Sequence, residues 1–273
     1  KKSIKKIWGY SAFQFGALTL NYFNRNLDNL LIGKFFSASD LGQYNKAYTL
    51  MQYPITYLPG VITPVMHPIL SEHQHDKQYI FDVYKKLLKI LSLCGCFCSA
   101  FFWYAGYEII LIAFGDQWID AILPFRILGL SVWAQILTNT MAPVYQSVGN
   151  TKLMFKGTIV TTMILICSIL GGFLGGSIVS VAIAIAIGYL LNFFVSFGIV
   201  VKGCFMKSFF SFLKNFKADF LIFSGLMCTN FFVVSNNSIW ISFVIKFVIF
   251  LFVYLVLLII TKQYKVLIKL LVQ

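Results

Sequence analysis

Residues 157–201 read GTIVTTMILICSILGGFLGGSIVSVAIAIAIGYLLNFFVSFGIVV, a stretch without a single charged residue. A helix that crosses a membrane needs about 20 predominantly apolar residues, so this stretch is long enough for two crossings. Gly171, Gly172, Gly175 and Gly176 lie in its middle. Because clustered glycines mark turns, the stretch predicts two membrane-spanning helices joined at these glycines.

The composition of the whole chain agrees with a membrane location. Of its 273 residues, 59% are hydrophobic and 11% are charged, whereas a soluble domain has about 25% charged residues. A soluble domain and a disordered chain are therefore excluded. The formal net charge is +13, which would suggest nucleic acid in a soluble protein. Here the lysines lie between apolar runs, so we expect them to orient a membrane protein, with no nucleic-acid partner.

The apolar runs predict an all-α fold, a polytopic transmembrane helical bundle of about eight spans. The second span carries four prolines, and we expect it to be broken and to line a cavity, because proline removes backbone hydrogen bonds. Residues 80–88 have apolar positions at helical spacing and predict an amphipathic helix on the inner membrane surface. The predicted spans are residues 7–36, 41–70, 87–114 and 121–148, two within 157–201, then 220–234 and 239–261.

The basic residues test this arrangement of spans. Alternate connections and the two chain ends hold seventeen of the 22 Lys and Arg residues. The positive-inside rule then places both termini in the cytoplasm, where the lysines would contact anionic membrane lipids. These residues are Lys1, Lys2, Lys5, Lys6, Lys77, Lys85, Lys86, Lys89, Lys152, Lys156, Lys202, Lys207, Lys214, Lys217, Lys262, Lys265 and Lys269.

The strongest candidate site is in the first span, where residues 24–29 read NRNLDN. Arg25 and Asp28 are three positions apart, so they share a helical face and can pair. An ion at a helix centre costs about 2.5–3.5 kcal/mol on insertion scales, which makes this cluster a functional hypothesis. Asn24 and Asn26 beside the pair indicate a wet cavity. The alternative is a self-neutralising pair that only sets helix register.

Other polar positions have two interpretations each. Lys46 and Arg126 can line a cavity or extend their charged ends to the outer interface. For Lys246 we expect the interface, and Glu108 is expected to be interfacial as well. The cysteines lie mostly in apolar runs, where a thiol behaves as a small hydrophobe, so no metal site and no cofactor are expected. Since no catalytic grouping is visible, the sequence does not indicate an enzyme.

Several segments carry a family resemblance. Residues 24–33 (NRNLDNLLIG), 41–48 (LGQYNKAY) and 68–71 (PILS), then 114–118 (FGDQW) and 149–152 (GNTK), resemble the Wzx-type polysaccharide flippases. These form a branch of the multidrug/oligosaccharidyl-lipid/polysaccharide exporter superfamily. The resemblance is strongest before Lys152 and rests on hydropathy after it.

The resemblance implies a flippase that moves undecaprenyl-diphosphate-linked oligosaccharide across the bacterial inner membrane for O-antigen, capsule or exopolysaccharide synthesis. Such proteins have two lobes around a central cavity. This chain is similar to the second lobe of a MATE-like transporter plus two C-terminal helices, so we expect a partial protein. Residues 1–151 would form the first four spans of the lobe and residues 152–273 the last four.

The resemblance also implies roles for the candidate residues. Arg25 would bind the lipid diphosphate, with Lys46, Arg126, Asn24 and Asn26 as further substrate-binding residues. Asp28 would be the counter-ion of Arg25 or part of an ion-coupling site. Besides the lipid-linked oligosaccharide, a polysaccharide polymerase and a chain-length regulator are the partners implied.

Other functions stay open at this point. A lipid II flippase or a cation-coupled drug exporter would belong to other branches of the same superfamily. A drug exporter should line its cavity with acids, whereas the intramembrane ions here are mostly basic and favour an anionic substrate. A membrane scaffold that transports nothing is the third possibility.

Overall fold

The computed structural model describes residues 2–73, 75–231 and 238–265, with the side chains of residues 2–10, 21, 23–25, 65–67, 69 and 71 left out of the description. Within these residues every regular element is a helix. The predicted all-α polytopic bundle is therefore confirmed. The α-helices are α1 (Lys2–Phe35), α2 (Ala38–Glu72), α3 (Lys77–Phe114), α4 (Ile122–Gly129), α5 (Val132–Thr138), α6 (Met141–Ser147), α7 (Thr151–Phe173), α8 (Ile178–Phe205), α9 (Phe209–Leu213), α10 (Lys217–Met227) and α11 (Ile239–Ile260).

Within the described residues, helices lie at the positions of all eight predicted spans, and residues 232–234 of the seventh span lie outside the description. In the described ranges, α3, α7, α8 and α11 are long and apolar enough to cross a membrane by themselves. A fifth crossing results if the bent segments Asp116–Gly129 and Val132–Ser147, which meet at 53°, count as one span. This bend divides the fourth predicted span. Helix α4 ends there because the backbone N–H groups of Leu130 and Ser131 donate hydrogen bonds to carbonyls three residues back, those of Ile127 and Leu128.

Helices α7 and α8 form the hairpin that residues 157–201 predicted. The chain turns after Phe173, where Gly176 adopts a positive φ of 64°. Ser177 then starts α8, since its hydroxyl accepts the backbone N–H of Ser180 at 3.1 Å. At Gly172 the two backbones come close together: an added Cβ would lie 2.7 Å from the Cα of Val181.

We expect Gly172→Ala to destabilise the protein by roughly 1–3 kcal/mol, because the methyl group would force α7 away from the backbone of α8. Thermal melting of the purified protein in detergent measures the loss. Gly171→Ala is the matched control, since a Cβ at Gly171 meets nothing within 4 Å. Equal melting temperatures for the two variants would contradict the proposed close contact.

Helix α2 differs from the expectation of a broken helix. It runs unbroken from Ala38 to Glu72 with Pro54, Pro59, Pro64 and Pro68 inside it. A neighbouring side chain replaces a lost hydrogen bond at Pro59. The carbonyl of Ile55 would accept from the N–H of residue 59, which proline lacks. Instead the Nδ2 group of Asn139 donates to this carbonyl at 3.1 Å.

Helix α3 lies at the centre of the bundle and begins earlier than predicted. Asp76 caps its start, where the Oδ1 atom accepts the backbone N–H groups of Gln78 and Tyr79 at 3.0 and 2.9 Å. The separate amphipathic helix predicted for residues 80–88 is therefore wrong: these residues are the first turns of α3. Their apolar positions are buried against protein, with the Phe81 and Phe205 ring centroids 5.0 Å apart.

The last two helices pack on one side of α3. A second apolar cluster joins α3, α10 and α11 through aromatic rings such as Phe97, Phe101 and Phe250. Most of α11 faces outward, and Ser242, Phe250 and Leu258 are its buried residues. An exposed apolar helix face suits contact with lipid. The predicted turn at residues 235–238 lies mostly outside the described residues.

Candidate functional site

A cavity of about 500 Å³ lies between the helices on the other side of α3. It has the size typical of small-molecule sites, about 300–1,000 Å³. Leu18 and Tyr22 line it and yet are 54% and 67% exposed, so the cavity opens beside α1. Its lining comes from α1, α2 and α5–α8: Leu18, Tyr22, Gln52, Ile55, Gln135, Thr138, Asn139, Met141, Ala142, Tyr145, Met154, Gly157, Thr158, Thr161, Leu165, Tyr189, Asn192 and Ser196.

The lining mixes apolar and polar side chains, and its polar groups are uncharged. Among the described residues that surround the cavity there is no Lys, Arg, His, Asp or Glu. Hydroxyl and amide groups from six helices provide the polar surface instead. Several of the hydroxyls donate to carbonyls of their own helix, as Thr158 does to Met154 at 3.0 Å and Thr161 does to Thr158 at 3.0 Å. Their oxygen atoms therefore remain available as acceptors.

Neighbouring contacts hold the amide side chains of the cavity in place. Gln135 donates through Nε2 to the hydroxyl of Ser131 at 2.9 Å. Asn139 is fixed by its bond to the Ile55 carbonyl, which Pro59 leaves without a helical partner. The hydroxyl of Ser196 donates to Oδ1 of Asn192 at 2.7 Å, so the orientation of the Asn192 amide is set from within α8.

The predicted cluster on α1 is partly described. The side chains of Asn24 and Arg25 lie outside the described residues. Asp28 is 2% exposed, and its Oδ2 atom accepts the hydroxyl of Tyr44 on α2 at 2.8 Å. Asn26 donates through Nδ2 to the backbone carbonyl of Tyr22 at 2.8 Å. Neither Asp28 nor Asn26 lines the cavity.

Lys46 and Arg126 also lie away from the cavity. The ammonium group of Lys46 is 4.8 Å from the centroid of Phe114 and 5.1 Å from that of Trp118. Rings at this distance attract a cation. Arg126 is half-buried on α4, and its Nε atom is buried without a hydrogen-bond partner among the described residues.

Two buried ion pairs were not predicted from the sequence. Lys246 on α11 pairs with Glu108 on α3, with Nζ 2.6 Å from Oε1 and side chains only 12% and 5% exposed. The expectation that Lys246 and Glu108 are interfacial is therefore wrong. Lys89 on α3 pairs with Asp219 on α10, and their side chains are 13% and 1% exposed.

A hydrogen-bond network surrounds Asp219. The hydroxyl of Ser92 donates to Oδ2 of Asp219 at 2.6 Å, and the indole N–H of Trp133 donates to the same hydroxyl at 2.8 Å. Lys89 also donates to the carbonyl of Asn215 at 3.0 Å. The pair thus connects α3, α5 and α10, which identifies it as a packing element rather than a ligand site.

This fold, a bundle of long apolar helices with a partly polar cavity between them, defines a polytopic membrane protein. Residues 1–123 match the model of a family described as "Polysaccharide biosynthesis protein". The resemblance to Wzx-type proteins is thereby confirmed.

The individual comparisons agree with that class. The chain is 25% identical over 154 residues to the teichuronic acid biosynthesis protein TuaB of Bacillus subtilis (strain 168), a match that covers 56% of this chain and 32% of that protein. It is 23% identical over 153 residues to the lipopolysaccharide biosynthesis protein WzxC of Escherichia coli (strain K12), with 56% and 31% covered. The chain thus spans about a third of the length of these relatives.

The fold has a solved counterpart. The inward closed conformation of the lipid II flippase MurJ superposes with a TM-score of 0.71, at 16% identity, over 91% of this chain and 52% of that structure. At this identity the likeness concerns the fold alone. It agrees with the expected MATE-like lobe.

Proposed function

We propose that this chain is one lobe of a flippase that moves undecaprenyl-diphosphate-linked oligosaccharide across the bacterial inner membrane. The observation that carries the proposal is the cavity with uncharged polar groups that lies between the helices of a fold shared with a lipid II flippase. The family match and the names of the relatives, which concern teichuronic acid and lipopolysaccharide, support a role in polysaccharide synthesis. The protein would act as a transporter and not as an enzyme.

The second part of the proposal concerns how much of a transporter this chain spans. The chain covers 52% of its solved counterpart, and we interpret residues 1–151 and 152–273 as the two halves of a C-terminal lobe with two extra helices. Alternating access in such transporters moves one repeat against the other around a central site. A second lobe would then be needed for transport.

Arg25 on α1 would contact the anionic part of the substrate. Arg25 follows Tyr22 by three positions on α1, about 4.5 Å along the helix axis, and Tyr22 lines the cavity. A guanidinium group binds phosphate oxygens in a bidentate manner. We therefore assign the diphosphate to Arg25, with Asn24 and Asn26 beside it.

We propose further roles for the remaining predicted residues. Asp28, fixed by the Tyr44 hydroxyl, would serve as a counter-ion or an ion-coupling group. Lys46 and Arg126 would attract the anionic substrate at longer range. The lysine-rich connections would face the cytoplasm and contact anionic lipids, and a polymerase and a chain-length regulator would be the protein partners.

Reconstitution in lipid vesicles tests the proposal. The 273-residue chain and a version preceded by a first lobe are each reconstituted with fluorescent undecaprenyl-diphosphate-linked oligosaccharide, and its outward movement is measured. We expect transport by the two-lobed protein and none by the 273-residue chain. Transport by the chain alone would contradict the requirement for a second lobe. Absence of transport by both proteins would contradict the flippase proposal and favour a membrane scaffold that transports nothing. Lipid II is the comparison substrate, because the fold is shared with a lipid II flippase.

A further inference from the structure

We propose that Tyr53 and Tyr57 on α2 form an aromatic platform on which sugar rings of the lipid-linked oligosaccharide stack. The proposal rests on the proposed function, because it assigns the oligosaccharide part of the same substrate to a surface of this chain. It adds a sugar site to the diphosphate contact assigned to Arg25.

The platform belongs to an exposed polar stripe on α2. Asn45, Thr49, Tyr53 and Tyr57 follow one another at four-residue spacing, so each is next to the following one on the helix surface, and all four are exposed. The Thr49 hydroxyl donates to Oδ1 of Asn45 at 3.1 Å. Amide and hydroxyl groups are costly to place among lipid tails. This face of α2 therefore suits a polar neighbour better than lipid.

Helix α11 shows, by contrast, what a lipid-facing surface looks like in this chain. Every exposed side chain of α11 is apolar or aromatic, among them Ile241, Val248 and Phe252. Among the described helices, α2 is long enough for a span at 35 residues but, unlike α11, is too polar to qualify as one by itself. The difference supports a substrate path, and not the bilayer, beside the exposed face of α2.

The depth of the two tyrosines separates them from ordinary interfacial tyrosines. Tyrosine is common at the ends of membrane spans, at the level of the lipid headgroups. Tyr53 is 15 residues from Ala38 at one end of α2, and Tyr57 is 15 residues from Glu72 at the other. Each tyrosine is thus about 22 Å from the nearer helix end. At the middle of the helix their hydroxyls need a polar surrounding.

The geometry of the two rings suits stacking. Their planes are parallel within 6°, and their centroids are 6.1 Å apart. At this separation the rings are offset, and Tyr53 and Tyr57 are 51% and 64% exposed, so part of each ring face stays open. The face of an aromatic ring is electron-rich and attracts partly positive hydrogens. One side of a pyranose ring presents such C–H hydrogens, and neighbouring sugars of a chain would contact the two rings.

The platform lies beside the cavity. Gln52 directly precedes Tyr53, and Ile55 lies between the two tyrosines, and both line the cavity. A sugar chain on the rings would therefore have the hydroxyl and amide groups of the cavity next to it. These groups can donate and accept hydrogen bonds with sugar hydroxyls.

The register of α1 against α2 agrees with one substrate bound at both places. The hydrogen bond between Tyr44 and Asp28 joins the two helices. Arg25 is three positions from this bond along α1 and Tyr53 is nine positions from it along α2, both on the side of the cavity. These spacings correspond to about 4.5 and 13.5 Å. A diphosphate at Arg25 and sugars on the platform would thus be neighbouring parts of one molecule.

Binding of two defined lipids to the 273-residue chain in nanodiscs tests the platform. The probes are undecaprenyl diphosphate and the same lipid carrying a linear trisaccharide of glucose. We expect the trisaccharide lipid to bind roughly tenfold more tightly. Tyr53→Leu and Tyr57→Leu should each weaken its binding about fivefold, because a ring face is lost, and leave the bare lipid unchanged. Tyr53→Phe and Tyr57→Phe keep the ring and should bind both lipids nearly as the unchanged chain does.

Phe252→Leu is the matched control, because Phe252 is an aromatic residue of similar exposure, 67%, on the apolar face of α11. It should bind both lipids like the unchanged chain. The chain is used by itself, so that a contact of the tyrosines with a second lobe cannot produce the loss.

Several outcomes would overturn the platform while the flippase proposal stands. They are equal binding of the two lipids by the unchanged chain, unchanged trisaccharide binding in both leucine variants, and equal losses for both lipids. Equal losses in the phenylalanine and leucine variants would also overturn it, since the hydroxyl and not the ring would then make the contact. Ring-dependent binding of the trisaccharide lipid without transport in the vesicle assay would support the platform and contradict the proposed function.

Discussion

Asp219→Ala is expected to destabilise the protein by roughly 3–5 kcal/mol, because it leaves the ammonium group of Lys89 buried without a counter-ion. The same change removes the acceptor of the Ser92 hydroxyl. This hydroxyl in turn accepts the hydrogen bond from the indole N–H of Trp133. Thermal melting in detergent, followed by tryptophan fluorescence, measures the loss. We also expect a change in the tryptophan emission of the folded variant, because Asp219 no longer orients the Ser92 hydroxyl that accepts the hydrogen bond of Trp133.

The control for Asp219 is an exposed ion pair on the same helix as Lys89. Asp82 pairs with Lys85 at 2.8 Å, with side chains 47% and 32% exposed. Exposed pairs contribute about 0–1 kcal/mol, so Asp82→Ala should hardly change the melting temperature. Replacing both buried partners, as in Lys89→Met with Asp219→Leu, should be less harmful than Asp219→Ala alone. A double variant that melts at a lower temperature than Asp219→Ala would contradict the claim that the unpaired charge of Lys89 causes the loss of stability.

Arg25→Ala in the two-lobed protein is expected to reduce export of lipid-linked oligosaccharide roughly tenfold or more, because a bound diphosphate would lose its bidentate partner. Arg25→Lys should reduce export as well, since lysine keeps the charge but not the planar fork. Export is measured in cells and normalised to the amount of protein in the membrane. That amount should change little in either variant.

Lys34→Ala provides the control for charge on the same helix. Lys34 is exposed near the end of α1, where its ammonium group lies 5.5 Å from the Phe35 ring centroid, so its loss should leave export unchanged. The double variant Arg25→Leu with Asp28→Leu tests the alternative of a register-setting pair. Normal export by the double variant would reject the diphosphate role of Arg25.

Much of the fold could be predicted because membrane spans are encoded locally. Long apolar runs and the four glycines in residues 157–201 identified the α7–α8 hairpin. Errors arose where tertiary contacts decide the outcome. Residues 80–88 carry an amphipathic pattern, but their apolar side faces Phe205 and Phe212 and not lipid. The prolines of α2 did not break it, and at Pro59 a distant Asn139 supplies a missing bond.

Less of the site could be predicted, for a physical reason. The sequence draws attention to ions within apolar runs, because each is costly by itself. The cavity is lined by single threonine, tyrosine and amide residues on six helices, and none of these is unusual in its own segment. The partners Lys89 and Asp219 are 130 positions apart. Without the fold, no local pattern connects them.

The two buried ion pairs have a consequence for how the protein is made. Helix α3 contributes Lys89 and Glu108, while their partners Asp219 and Lys246 belong to α10 and α11. During synthesis the ribosome therefore delivers a membrane helix with two unmatched charges of opposite sign, long before their partners exist. Docking of the last two helices neutralises both at once. In a nascent chain that stops before α10, Lys89 and Glu108 of α3 would remain without their ionic partners. Unpaired charges in a membrane helix are a feature by which membrane quality control can distinguish unfinished proteins from complete ones.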